Sequence, residues 1–170
     1  MPPTDSERVR GTTAKLFPAD PAARAVVLRI HVLAAIRPTE DPAKVRAAIE
    51  SLFPGATIEM HDDRITATAP HMERIRELVR STRIPDTARG VMVAGLSMDG
   101  TSARFLLGKQ AAAAGRAHFG PLRSPLGDIE VSVFGDDEHE VERFLYHVAP
   151  DTTVEPDLAE VPPALRPSVE

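Results

Sequence analysis

Three groups of side chains in this sequence could do chemistry: six histidines, a few neighbouring carboxylates and seventeen arginines. The chain has no cysteine, so a metal would have to be held mainly by His31, His61, His71, His118, His139 and His147. Histidine sites usually bring two ligands from one helical turn, as in H-x-x-x-H or H-E-x-x-H. Neither pattern occurs, and His61-Asp62-Asp63 is read as a solvated turn. No metal and no cofactor are expected. Glu73 with Glu77, and Asp136 with Asp137, have the composition of acid–base pairs, but adjacent acids are more often a solvated face. Gly108-Lys109 resembles the end of a phosphate loop. Gln110, however, stands where a magnesium-binding hydroxyl is needed, and Ala103 where the first glycine belongs. Gly90, Gly95 and Gly100 do not form G-x-G-x-x-G, and no G-x-S-x-G elbow is present. The expectation is a protein without catalytic residues.

The arginines are more informative. They make up seventeen of twenty basic residues, and the planar guanidinium suits bidentate phosphate contacts better than an ammonium does. The net charge of −5 conceals a partition: residues 64–123 hold ten basic and four acidic side chains, residues 124–170 two and twelve. Arg76, Arg80 and Arg83 fall at spacings of four and three, beside the apolar stripe of Met72, Ile75 and Val79. Arg89 at the next helix, and Lys109 and Arg116 flanking an alanine run, extend this into a ladder of phosphate contacts. Gln110 could add a hydrogen bond to a base edge or a ribose. The bland reading is a solvated helix whose Glu73 and Glu77 neutralise part of the charge. With no tryptophan, one tyrosine and six phenylalanines, a platform for stacking bases is hard to build. Any nucleic-acid contact would therefore go through backbone and shape.

These residues have to be positioned by a single domain, since 170 residues that are 42% hydrophobic suffice for one core. Residues 1–25 and 150–170 are proline-rich extensions, and 26–149 is the folded part. Within it, 26–36 is a strand with Arg29 and His31 on the face opposite Leu28 and Val32. Asp41 and Pro42 open a helix whose stripe is Val45, Ala48, Ile49 and Leu52. Ala56–Glu59 and Arg64–Thr68 form a hairpin. One helix follows Pro70, and Asp86 opens another. Ala103–Leu107 is a strand, Lys109–Ala114 helical, Asp128–Phe134 a strand, and Glu138–Val148 a closing helix. Without regular βαβ alternation, this is α+β with a mostly antiparallel sheet packed by helices. No apolar run approaches the ~20 residues of a membrane span, and no signal peptide is evident. A cytoplasmic protein with no membrane contact is expected, consistent with the lack of cysteine.

Four segments in order carry a family resemblance: Arg37-Pro38-Thr39-Glu40-Asp41; Arg83-Ile84-Pro85-Asp86-Thr87-Ala88-Arg89; Lys109-Gln110-Ala111-Ala112 with Gly115; and Ser124-Pro125-Leu126-Gly127-Asp128-Ile129. Together they resemble an archaeal family of uncharacterised conserved proteins catalogued as candidate RNA binders. The resemblance implies a fold similar to the large-subunit ribosomal protein that contacts five-S RNA, and an archaeal source. It covers most of 26–149, departing at Gly108, where asparagine is common, and at Ala113-Ala114, where bulkier apolar residues are usual.

The leading expectation is non-catalytic binding of structured RNA through Arg76, Arg80, Arg83, Arg89, Lys109, Gln110 and Arg116. The alternative is a protein-interaction or scaffold module that self-associates as a homodimer, the basic centre docking on the acidic C-terminal segment. A third reading is a small enzyme built on Asp86, Arg89 and Lys109.

Overall fold

A computed structural model describes residues 28–120 and 127–151. The expected extension at 1–25, nearly all of that at 150–170, and Ser124-Pro125-Leu126 of the fourth segment lie outside the described residues.

The chain enters on β1 (Arg29–Ala35), where Ile30, Val32 and Ala34 are buried and the residues between them exposed. That alternation is the period of a strand with one covered face. Asp41 then caps α1 (Pro42–Leu52), its carboxylate accepting from the Ala43 amide at 3.0 Å, with Pro42 in the first turn. The helix buries Val45, Ala48, Ile49 and Leu52. Complete burial of Ile49 and Leu52 contributes roughly 1.5–3 kcal/mol each. The hairpin β2 (Thr57–Met60) and β3 (Arg64–Ala69) follows. Next come α2 (Glu73–Ser81) and α3 (Pro85–Ala94), then β4 (Ser102–Gly108), the short α4 (Lys109–Ala113), β5 (Asp128–Phe134) and α5 (Glu138–Val148). α3 begins at Pro85, and Asp86 lies inside its first turn without capping it.

The five strands form one sheet in the order β2-β3-β1-β5-β4, every neighbouring pair antiparallel. One register row shows how the core is built: Ile58, Ala67, Val32, Val131 and Phe105 stand in line across the sheet, and the apolar stripes of α1, α2, α3 and α5 pack onto that face. The other face carries His31, Leu33, Thr66, Ser132 and Arg104, and among the described residues no element packs over it. The domain is therefore a single α+β layer pair with a five-stranded antiparallel sheet. α3 and β4 approach so closely at Gly95 that a Cβ there would lie 1.8 Å from the Arg104 carbonyl oxygen, a spacing only glycine tolerates.

Candidate nucleic-acid interface

The basic residues are set out by two groups in the helical layer, one of three helices and one pair. α2 and α3 pack on α5, whereas α4 packs on α1. The candidate residues divide accordingly.

At the α2–α3 junction the helix ends in a left-handed cap. The Thr82 hydroxyl donates to the Leu78 carbonyl at 2.6 Å, and the Ile84 amide reaches back to the Val79 carbonyl at 3.1 Å. Arg83 between them has φ +56°, the position that usually takes glycine. Arg83 is thus beyond the helix, which corrects the expected continuous stripe of Arg76, Arg80 and Arg83. Arg80 and Arg83 are both exposed and line a shallow recess of about 490 Å³ with Pro85, Asp86 and Pro150. Among the described residues neither guanidinium has a hydrogen-bond or ion-pair partner.

The other expected contacts at this end are committed to the fold. The Arg76 side chain is only 33% exposed, sits 3.6 Å from Glu73, and has its Nε buried without a partner. Glu73 also meets His147 of α5 at 3.3 Å; that hydrogen bond, aided by the charges of His147 and Arg76, holds the Glu73 carboxyl below its ordinary range. Arg89 was expected to contact phosphate, but its side chain is 16% exposed. It pairs with Asp86 at 2.6 Å and Asp151 at 3.7 Å, donates to the Ala149 carbonyl at 3.4 Å and lies 5.8 Å from the centre of the Tyr146 ring. Arg89 fastens α3 to the end of α5.

At the other pair, Lys109 is a second correction: it is buried, not exposed beside the alanine run. Its ammonium donates to the Ala35 carbonyl and pairs with Glu40 at 3.0 Å. Glu40 in turn accepts from the Arg37 amide at 2.8 Å, so the pair clamps the turn after β1 onto α4. Asp128, next to Lys109 across the sheet, has a buried Oδ1 without a partner, and burial pushes its carboxyl up against the opposing charges of Lys109 and His118. Gln110 is exposed and borders a recess of about 310 Å³ with Thr39, Asp41 and Lys44. Arg116 is exposed just past α4. Asp86, Arg89 and Lys109, the trio an enzyme would need, do not converge: the first two pair with each other, and the third is held by Glu40. Among the described residues no group of three or more histidines or acids is arranged to hold a metal ion, and no helix is long and apolar enough to cross a membrane. Glu40, which the sequence offered only as part of the first resemblance segment, and Tyr146 were given no role from the sequence, where nothing ties either to a residue so distant in the chain.

No family model matches this chain. A UPF0200/UPF0201 protein of Archaeoglobus fulgidus is 35% identical over 126 residues, which are 74% of this chain but 38% of that protein, so the chain spans well under half of it. A UPF0201 protein of Methanopyrus kandleri is 35% identical over 143 residues, covering 75% of this chain and 87% of the relative. The crystal structure of a UPF0201 protein from Methanococcus jannaschii superposes with a TM-score of 0.67 at 30% identity, over 73% of this chain and 94% of that one. With the Methanopyrus relative matched along most of its length and a solved structure sharing the fold, the chain belongs to the archaeal UPF0201 family.

Proposed function

We propose that the protein is a non-catalytic, cytoplasmic binder of structured RNA, gripping the phosphate backbone at the α2–α3 corner. The observation that carries this reading is the pair of exposed arginines, Arg80 and Arg83, lining one recess without partners among the described residues. An exposed, unpaired guanidinium is what a phosphate contact requires. Gln110 on α4 and Arg116 just past it lie away from that corner, and a helical RNA would have to span the distance to reach them. Arg76, Arg89 and Lys109 support the interface from within. A likeness to the ribosomal protein that contacts five-S RNA belongs to the same proposal.

The test is anisotropy of a labelled, structured RNA titrated with the protein across a salt series. Binding is expected at ~50 mM salt with a steep decline as salt rises, and Arg80→Glu with Arg83→Glu should weaken it by more than about 1 kcal/mol and flatten the salt dependence. No binding by the intact chain at ~50 mM salt would overturn the reading.

A second reading, self-association, has one observation in its favour. The open sheet face exposes Leu33 at 39% and Phe134 at 36%.

A further inference from the structure

We infer that the Arg80–Arg83 recess is also the docking surface for the chain's own acidic segment, 152–170, which occupies it in competition with phosphate. This deepens the RNA reading and rests on it.

The first ground is where the described chain ends. α5 stops at Val148, the Ala149 carbonyl accepts from Arg89 at 3.4 Å, and Pro150 is itself part of the recess wall. Asp151 then places a carboxylate 3.7 Å from Arg89. The segment that follows is therefore delivered to the rim of the recess by contacts already made.

The second ground is charge. Residues 152–170 contain Glu155, Asp157, Glu160 and Glu170 against a single Arg166. The recess offers Arg80 and Arg83, and the carboxylate on its wall, Asp86, is already hydrogen-bonded to Arg89 at 2.6 Å. Asp151 on Arg89 is the acid immediately before the segment, and it shows the sign preference that the next ones would extend.

The third ground is reach. Glu155 lies four residues past Asp151 and can extend at most about 14 Å from it, Asp157 about 20 Å. Tethering at that range gives an effective concentration on the order of millimolar, enough for ion pairs that would be negligible between separate molecules. Those pairs act within a screening length of about 8 Å at physiological salt, so their effect must fade as salt rises.

Two measurements on the full chain test this. In the first, an amine is introduced by Arg83→Lys, zero-length carbodiimide coupling is run on dilute protein, and the products are mapped by mass spectrometry. Intramolecular coupling to Glu155, Asp157 or Glu160 is expected; coupling to Asp86 alone, or none, overturns the inference whether or not RNA binds. In the second, Glu155→Gln, Asp157→Asn and Glu160→Gln are combined and RNA affinity is measured. A rise of about three- to tenfold is expected at ~50 mM salt, shrinking below about twofold at ~300 mM, and no rise in an Arg80→Ala, Arg83→Ala background. An unchanged affinity, or an equal rise in that background, overturns the docking. Absence of RNA binding in every variant overturns the RNA reading instead, and the coupling result then decides the docking alone.

Discussion

Arg83 is where conformation and function pull apart. A non-glycine residue at φ +56° carries a backbone cost of roughly 1–2 kcal/mol, while its side chain makes no hydrogen bond or ion pair among the described residues to offset it. Arg83→Gly should therefore raise stability to urea by about 0.5–1 kcal/mol, the greater freedom of glycine in the unfolded chain taking back part of the relief. RNA affinity should fall in the same variant. If stability drops instead, the arginine is held by a contact that matters to the fold, and its role as a free phosphate ligand is lost. At this scale the sequence was only partly legible. Residue type and local spacing pointed to Arg80 and Arg83, but could not show that Arg89 is consumed by a carbonyl 60 residues away, or Lys109 by a carboxylate 69 residues away. Arginine on a helix face has the same local signature whether it meets solvent or a distant partner.

Elements were far more readable than their connections. The cap and stripe of α1, the alternation in β1 and β5, and the span of α5 all follow from short-range rules, since each buries one face with a fixed period. What periodicity leaves open is which elements are tied together by polar groups, and the Lys109–Glu40 pair is the clearest case. It joins the start of α4 to the turn that leads from β1 into α1, with both side chains under a tenth exposed. Lys109→Met would leave the Glu40 carboxylate buried without its cation and is expected to cost about 3–5 kcal/mol. Adding Glu40→Leu removes the stranded charge and should restore most of that loss, because a matched apolar pair often replaces a buried ion pair at little cost. Urea denaturation of the two variants is the check. An equally large deficit in the double variant would mean that the hydrogen bond to the Ala35 carbonyl, rather than the ion pair, holds the corner.

For the whole molecule, the question is what the open sheet face is for, because the two functional readings use opposite sides of the domain. The charge partition read from the sequence does not decide it. Much of the basic centre is spent internally, in the pairs made by Arg64, Arg74, Arg76, Arg89, Arg104 and Lys109. Area is more discriminating. The five strands, at about 4.8 Å spacing and about 3.4 Å per residue, project onto roughly 500 Å², which even with the added relief of the side chains reaches no more than about the ~800 Å² of accessible surface per partner of a standard stable interface. Its middle is also mixed, with Glu130 beside Leu33 and Ser132 beside His31 in the register, which lowers the apolar gain from covering it. The domain is therefore expected to sediment as a monomer at ~10 µM, pairing through this face only at much higher concentration. Leu33→Glu, in the central strand, should abolish that weak pairing and leave RNA affinity unchanged. A tight dimer at ~10 µM that Leu33→Glu dissociates would instead make self-association the primary property and the arginine corner secondary.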